Sequence, residues 1–449
     1  MKNTFLLAVI LLVACSSKKD QKEVSLLIEN VNVVDVRDGS IYQNHDVAID
    51  NGIIVNISHH LESKYTGKTT INGLGKYLMP GLAEMHAHIP TETSWGGNVK
   101  NTLFLYVSQG VTTIRGMQGN ELHLELRDKA LKNEILSPRI FTASPPLNGS
   151  TVKTKEEADE KVRKYKADGY DLLKILPGIK LEVFDQIVAT ANEVGIPFAG
   201  HVPAEVGIRH ALESGYASID HMDGYLTGLV PEEITKNSDA GFFGYNYTNQ
   251  ADPGKMNGMV QLTSEKKVWV VPTQTLFTRW FSPGSPESYA SQPEMKYMPK
   301  ETIENWKASK ARMIEDENYS EEQWRKFNTL RNVFLMKLHS YGHGLLLGSD
   351  APQVFNVPGF SIHHEIKDML DVGLTPMEVI QIGTLNPAIY FGMEGQFGEI
   401  IENASADLIL VKKNPLIDPG TIKNHLGVVV RGRWLSREEI DKQLAEIAQ

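Results

Sequence analysis

The chain has 449 residues, of which 41% are hydrophobic and 22% are charged. This apolar content is typical of a folded protein, and the length allows one large domain together with a smaller one. The 45 basic and 55 acidic residues give a formal net charge of −10. Because no block of Lys and Arg interrupts this acidic balance, we expect no nucleic-acid partner.

The first residues carry a predicted secretion and anchoring signal. Lys2 precedes the apolar run TFLLAVILLVA, which is too short to span a bilayer and has the proportions of a signal peptide. Cys15, the single cysteine, ends the sequence LVAC, which resembles a bacterial lipobox. We therefore predict a lipoprotein signal peptide at 1–14, lipidation of Cys15 and a polar tether at 15–23. The alternative is an ordinary secretory signal with a chance cysteine.

This signal predicts a protein of the bacterial cell envelope, outside the cytoplasm and attached to a membrane by its lipid anchor. A single cysteine also excludes a disulfide framework and any Cys-rich metal site. The fourteen histidines remain as candidate metal ligands.

The two ends of the remaining chain are rich in β-forming residues. Residues 24–80 contain Asp-Gly and Asn-Gly pairs between apolar runs, which is typical of hairpins. Residues 394–435 have a similar texture, including the segment GVVVRGRWL. We predict that these two pieces form one small composite β-sandwich domain, followed by a C-terminal helix at 436–449.

Residues 81–393 have a different rhythm, in which short apolar runs alternate with helical stretches. This alternation is typical of a parallel sheet covered by helices, and eight units predict an α/β fold with a (β/α)8 TIM barrel. One helical stretch begins with a predicted capping box of Thr154 and Glu157. The long segment between the last two runs is predicted to be a helical insertion over the barrel mouth. The eight runs are GLAEMHAHI (81–89), GVTTIRG (110–116), PRIFTAS (138–144), YDLLKIL (170–176), PFAGHV (197–202), SIDHM (218–222), VWVVPTQTL (268–276) and GLLLGSD (344–350).

Side chains that can bind metals stand at the ends of five of these runs, where barrel enzymes carry their chemistry. The first run ends in a His-Ala-His sequence, and residues two apart on a strand project from the same face. Each residue alone has a structural alternative, such as a hydrogen-bonded core histidine, a salt-bridged lysine or an aspartate that caps a turn. Their joint placement favours a single site. The residues are His86 and His88 on the first run, Lys174 on the fourth, His201 on the fifth, His221 on the sixth and Asp350 on the eighth.

These residues resemble the metal-ligand set of the amidohydrolase superfamily. The stretches GLTPMEVIQIGTLNPAIYFG and GEIIENASADLILVKKNPL resemble the tail of its imidazolonepropionase-like and Xaa-Pro dipeptidase-like branch. The resemblance covers about residues 24–435 and implies a barrel with a β-sandwich built from both chain ends. Imidazolonepropionase uses one metal and lacks the lysine of the fourth strand. Lys174 therefore implies the binuclear members, in which this lysine is carboxylated and bridges two metals.

The resemblance implies two divalent metal ions, with zinc as the expected ion. The expected ligands of one ion are His86, His88, Lys174 and Asp350, and those of the other are Lys174, His201 and His221. A bridging hydroxide would attack the substrate, and Asp350 would also accept its proton and pass it to the leaving nitrogen. Dipeptidase-like relatives have a Gly-Gly-His segment after the third strand, whereas TASPPLNGSTVKT stands here. Dipeptide specificity therefore does not follow from the resemblance.

The predicted function is metal-dependent hydrolysis of C–N bonds, amide or peptide, in small-molecule substrates such as dipeptides or N-acyl amino acids. One alternative keeps the site and changes the bond to a lactone, ester, phosphotriester or cyclic amidine. Another is a lipid-anchored binding protein with a relict site. The oligomeric state stays open.

Three further residues are candidates for substrate binding. Arg115 ends the second run and Arg279 follows the seventh, so either guanidinium could bind an anionic end group of the substrate. Tyr225, four residues after His221, could donate a hydrogen bond to the scissile carbonyl or to the substrate's end. The alternative for both arginines is a structural ion pair.

Overall fold

The computed structural model describes residues 21–91 and 98–449. The predicted signal peptide at 1–14, Cys15 and most of the tether lie outside the described residues. The first strand begins at Lys22, so the last two positions of the predicted tether belong to a strand. None of the described helices combines the length and the apolar character that crossing a membrane requires.

The described part of the chain contains fifteen strands, which cluster at both chain ends and recur singly through the middle. They are β1 (Lys22–Val34), β2 (Ile41–Asp50), β3 (Ile53–His59), β4 (Tyr65–Asn72), β5 (Tyr77–Pro80), β6 (Leu82–Ala87), β7 (Val111–Gly116), β8 (Arg139–Thr142), β9 (Leu173–Ile175), β10 (Phe198–Gly200), β11 (Ser218–Asp220), β12 (Trp269–Val271), β13 (Leu408–Val411), β14 (Gly427–Val430) and β15 (Arg433–Ser436).

Sixteen α-helices are described, most of them between the strands of the middle segment. They are α1 (Val99–Ser108), α2 (Glu121–Leu131), α3 (Lys155–Ala167), α4 (Leu181–Val194), α5 (Gly207–Glu213), α6 (Glu232–Thr235), α7 (Met256–Glu265), α8 (Gln274–Trp280), α9 (Pro286–Ala290), α10 (Lys300–Ile314), α11 (Glu321–Tyr341), α12 (Phe360–Val372), α13 (Pro376–Gly383), α14 (Leu385–Tyr390), α15 (Gly420–Lys423) and α16 (Arg437–Ile447).

The two chain ends form one connected sheet of eight strands. Its order is β15-β14-β13-β5-β1-β2-β3, and β4 pairs with β1. Strand β1 pairs with β4 as far as Glu29 and with β5 from Asn32 onward, and register shifts occur between these two stretches. One irregular strand thus holds two partners on the same side, within a sheet to which both chain ends contribute.

The middle segment contains two parallel sheets, one of three strands in the order β6-β7-β8 and one of four in the order β12-β11-β10-β9. Single parallel bridges extend beyond their edges, and they join Ala143 to Leu172, Val270 to Leu345 and Ala87 to Ala351. The eighth predicted run thus bridges β12 on one side and the end of β6 on the other.

The eighth run packs closely against its two neighbouring strands. A Cβ atom at Gly348 would lie 2.6 Å from a methyl group of Val271 and 2.9 Å from the backbone nitrogen of His86. Only glycine permits this approach, and it brings the segment that ends in Asp350 against the strand that carries His86.

The helices pack on these sheets through faces with helical periodicity. In α4, the side chains of Val183, Phe184, Ile187 and Ala191 are buried, and the helix ends at Gly195 in the left-handed conformation. At the start of α3 the predicted capping box is only half formed. Thr154 accepts a hydrogen bond from the backbone of Glu157, but the Glu157 carboxylate accepts from the Lys153 backbone rather than from that of Thr154.

The predicted helical insertion corresponds to α8 through α11, and an aromatic cluster anchors it. The rings of Phe281 and Phe327 stack with centroids 5.6 Å apart, and Phe277 packs beside both. Phe277 also meets Phe243 edge to face at 4.9 Å. This contact links the insertion to the loop that lies over the predicted metal ligands.

Candidate metal centre

Three of the predicted ligands form one compact buried cluster. Donor atoms of His86, His221 and Asp350 all lie within 4.8 Å of one another. His86 lies near the end of β6, and His221 directly follows β11. Asp350 ends the bridging segment, and its backbone N–H donates to the carbonyl of His86. The strand ends therefore bring residues from three distant parts of the chain to one point.

Asp350 faces both histidines of the His-Ala-His sequence with a single carboxylate oxygen. Its Oδ1 lies 2.6 Å from Nε2 of His88 and 3.3 Å from Nε2 of His86. The backbone N–H of His88 donates to the carbonyl of Ala351, which fixes the two segments in register. The three side chains are at most 8% exposed, so these contacts occur away from bulk water.

The four predicted histidine ligands form a row of neighbouring imidazoles. Ring centroids are 5.3 Å apart for His88 and His86, 4.5 Å for His86 and His221, and 4.7 Å for His221 and His201. Lys174 on β9 is 1% exposed, and its Nζ lies 3.9 Å from a carboxylate oxygen of Asp220, the residue that precedes His221. The structure thus brings all six predicted metal-site residues into one region.

A second set of side chains faces the Nδ1 atoms of three of these imidazoles. Nδ1 of His201 lies 3.0 Å from Asp223, Nδ1 of His221 lies 2.9 Å from Thr273, and Nδ1 of His86 lies 3.0 Å from Asp220. Partners on Nδ1 leave Nε2 available as the ligand atom.

Sequence reasoning missed these three partners. Two signals were present, because Asp220 and Asp223 flank His221 in the segment SIDHMDG, and an acidic residue beside a ligand histidine is typical of metal sites. Thr273 directly follows the Pro after β12, and nothing in its local sequence distinguishes it from other strand-end threonines.

Burial shifts the pKa values of His86, His221 and Lys174. Desolvation holds the pKa of His86 and of His221 well below the usual range, and the nearby Lys174 charge adds to this effect. Burial also lowers the pKa of Lys174, although Asp220 and Asp350 oppose the shift. Neutral imidazoles are the form that binds metals, and a neutral amine is the form that reacts with carbon dioxide.

The donor set fits a divalent metal. Among the described side chains, the buried atoms without a hydrogen-bond partner include His86 Nδ1, Lys174 Nζ and Asp220 Oδ2, which lie together at this point. His86 Nδ1 and Asp220 Oδ2 are close in distance, but they do not have hydrogen-bond geometry. Imidazole nitrogens with carboxylate oxygens suit zinc and similar ions, and the cluster offers both.

Phe243 covers the outer side of the row. Its ring centroid lies 5.4 Å from that of His221 and 5.9 Å from that of His201. Phe243 and Gly244 both have left-handed backbone conformations. The chain therefore turns sharply here, and the side chains of Phe242 and Phe243 point in different directions. The neighbouring Phe242 is 59% exposed and lines a cavity of about 560 Å³. Other residues that line the cavity are Tyr245, Trp280, Arg312, Met313 and Tyr319.

The structure places Arg115 in an ion pair with Asp220, which is the alternative that the sequence left open. Its side chain is fully buried, and every hydrogen bond described for it ends on the protein. Nε donates to the carbonyl of Met85, Nη1 to Ser218 and Tyr390, and Nη2 to Asp220 at 2.9 Å. The strand alternation that directs His86 to the mouth directs this guanidinium into the interior below it.

Arg279 and Tyr225 also point away from the metal cluster. Arg279 donates to Gln292 and to Glu294, and the guanidinium is 5% exposed, so it forms the structural ion pair that was the alternative. The hydroxyl of Tyr225 hydrogen bonds with Thr263 on α7. Both side chains therefore have protein partners in the surrounding layer of the fold, where the sequence predicted substrate contacts.

The Amidohydrolase family model matches residues 77–435, and the chain belongs to this family. The matched range includes strands β6 to β14 and all six predicted ligands. Members of this family generally use divalent metals, and the chain contains a His-His-Asp cluster that can hold one.

Individual relatives are more distant. An adenine deaminase of Ligilactobacillus salivarius is 26% identical over 206 residues, which cover 42% of this chain and 33% of that protein. The chain spans about a third or less of the curated relatives that it matches. The solved structure of a bottromycin amidohydrolase has a TM-score of 0.72 at 20% identity and covers 94% of this chain and 89% of its own. A Xaa-Pro dipeptidase with bound methionine has a TM-score of 0.65 at 20% identity, covering 92% of this chain and 99% of its own. These structural likenesses show the shared fold.

Removing one imidazole of the cluster should reduce metal content. We expect His221→Ala to lower the metal bound per chain, because His221 is one of the three clustered donors. His425→Ala is the matched control, since His425 is also buried but hydrogen bonds only to the carbonyl of Ser108 among the described residues. Elemental analysis after dialysis against zinc measures both variants. Equal metal content in His221→Ala and wild type would contradict the assignment.

Proposed function

We propose that the protein is a metal-dependent hydrolase that cleaves C–N bonds, amide or peptide, in small substrates such as dipeptides or N-acyl amino acids. The observation that carries this proposal is the buried cluster of His86, His221 and Asp350 beside Lys174, within a chain of the Amidohydrolase family. When bound, divalent metals polarise a carbonyl group and lower the pKa of water from about 15.7 toward 7.

The row of imidazoles supports two metal positions. His86, His88 and Asp350 lie at one end, and His201 and His221 lie at the other. Lys174 is assigned to both positions as a carboxylated lysine. Its buried Nζ has no hydrogen-bond partner among the described residues, and its lowered pKa favours the neutral amine that carboxylation needs.

Asp350 is the residue assigned to proton transfer. Its carboxylate lies close to both imidazoles of the His-Ala-His sequence, and it is almost fully buried. A carboxylate there can accept a proton from the attacking water and donate it to the leaving nitrogen. The amine leaves as a neutral group, which is the step that amide hydrolysis requires.

The cavity of about 560 Å³ that Phe242 lines is not assigned to the substrate, because none of the six predicted metal-site residues is among its lining residues. A second candidate is hydrolysis of a cyclic amidine with release of ammonia, and the similarity to adenine deaminases favours it. Assays that measure primary amine release from N-acyl amino acids and dipeptides, beside ammonia release from aminopurines, distinguish the two.

We also propose that the parallel strands close into a (β/α)8 barrel. The bridges of Ala143 with Leu172, Val270 with Leu345 and Ala87 with Ala351 support closure, because they connect both sheets and the eighth run in sequence order. The eighth position is the one that supplies Asp350.

The lipid anchor at Cys15 is likewise a proposal, and it rests on the sequence LVAC after the apolar run. Cys15→Ser should release the protein from membranes without changing its specific activity, because the anchor precedes the folded domains. Fractionation of cells with antibody detection measures this. Recovery of the variant in the membrane fraction to the same extent as wild type would contradict the anchor.

Asp350→Asn should retain much of its metal while kcat falls by about 100- to 10,000-fold, because an amide cannot accept the proton. Metal analysis and steady-state kinetics on the best substrate measure both quantities. Asp46→Asn is the control, since Asp46 is a buried carboxylate of the β-rich domain and bonds there to His60. Near-normal turnover in Asp350→Asn with metal intact would exclude the proton-transfer role.

Lys174→Ala should lose its bridging group and regain partial activity with added acetate or propionate, which can occupy the same space. Lys174→Arg should show no such rescue, because a guanidinium stays charged and cannot take up carbon dioxide. Wild-type protein exchanged with labelled bicarbonate should give a carbamate carbon signal by NMR. A fully active enzyme with one metal and an unmodified Lys174 would contradict the binuclear assignment.

A further inference from the structure

Beneath the row of imidazoles lies a buried ion pair to which the proposed reaction assigns no role. Arg115 and Asp220 are both 0% exposed, and their side chains meet at 2.9 Å. Ser218 joins them, because its Oγ accepts from Arg115 and donates to the same oxygen of Asp220. Burying a charged pair carries a large desolvation cost, so its presence under the proposed metal centre calls for a reason.

The pair connects two halves of the proposed metal site. Arg115 on β7 donates to Met85 on β6, the strand that carries His86. It also donates to Ser218 and Asp220 on β11, the strand that His221 follows. These strands belong to separate parallel sheets. One guanidinium with fixed donor geometry therefore sets the position of one strand end relative to the other.

Asp220 carries this constraint to the ligand atoms. Its Oδ1 is occupied by Arg115 and Ser218, whereas its Oδ2 lies 3.0 Å from Nδ1 of His86. This contact lacks hydrogen-bond geometry, but the negative charge beside Nδ1 favours the tautomer in which Nδ1 carries the proton, so that Nε2 can bind metal. The same oxygen is 3.9 Å from Lys174 Nζ. Arg115 holds Asp220 in this orientation without touching a ligand.

We propose that Arg115 and Asp220 are positioning residues of the metal centre, which fix the tautomer of His86 and the spacing between His86 and His221. This inference rests on the proposed metal site. Loss of Arg115 should therefore weaken metal binding, because Asp220 loses its orientation, and this loss of affinity should exceed what reduced folding stability alone would cause.

The test measures metal affinity rather than turnover. Protein stripped with a chelator is titrated with Zn²⁺ in competition with a chromophoric chelator, and the Co²⁺-loaded protein is compared by visible absorption. Arg115→Met and Asp220→Asn should bind the metal about 10- to 100-fold more weakly, as is typical for outer partners of ligand histidines. Both should change the Co²⁺ spectrum, which reports ligand geometry. Ser218→Ala should shift the affinity in the same direction by less.

Arg279→Met is the matched control, because it breaks a different buried ion pair, the one between Arg279 and Glu294. It should lower the melting temperature while metal affinity stays within about twofold of wild type, as expected for a residue that contacts no ligand. Equal loss of affinity in Arg279→Met and Arg115→Met would overturn the positioning role. Wild-type affinity in a folded Arg115→Met would do the same.

If Arg115→Met fails to fold, Ser218→Ala and Asp220→Asn decide the question, and wild-type affinity in both overturns the inference. If the wild-type protein itself binds no zinc, the proposed metal site fails and the inference fails with it. Normal zinc binding in wild type with unchanged affinity in the variants contradicts the inference alone.

Discussion

The contact between the Asp350 carboxylate and two imidazoles organises the rest of the site. One oxygen of Asp350 faces Nε2 of His88 and of His86, and burial of the whole group removes the water that would otherwise solvate these atoms. Burial lowers the pKa of His86 and of His221, which favours their neutral forms. A cation placed between these donors would satisfy all of them at once, which is why the arrangement suits metal chemistry.

The backbone departs from regular strand geometry at several positions around the cluster. His221, Thr273, Asp350 and Phe243 all have left-handed conformations, with φ of 64°, 45°, 63° and 54°. Each such residue costs on the order of 1–3 kcal/mol, and the surrounding packing must offset this cost. These turns direct side chains from the ends of parallel strands toward a common point. The buried helices and the aromatic cluster of the insertion hold the strand ends in place.

Much of the site could be predicted because its signal is periodic. The His-Ala-His sequence and the single polar residue at each later strand end follow from strand alternation and from the order of the runs. The roles of Arg115, Arg279 and Tyr225 could not be predicted in this way. All three lie near strand ends in sequence, but the strand pleat and the first helical turn decide which side of the sheet a side chain enters. The short eighth run shows the same limit, since glycine packing and single bridges hold it where a strand was expected.

The partners on the histidine Nδ1 atoms show where local sequence and tertiary contact meet. Asp223 lies two residues from His221 in sequence, yet its carboxylate contacts His201, which directly follows another strand, β10. Thr273 binds His221 across the gap between β11 and β12. Such contacts depend on the register of neighbouring strands, which the sequence does not state. They also explain why the ligand histidines have defined orientations in a site made by five separate segments.

The most direct test of the account is turnover of a mixed panel of N-acyl amino acids and dipeptides by protein that has been stripped of metal and then reloaded. Release of free amine is followed against the number of zinc equivalents added. The account predicts no turnover in the stripped protein and a rise in activity that saturates at about two equivalents per chain, as expected for a two-metal site. Amine release that persists in protein verified to be free of metal would contradict it.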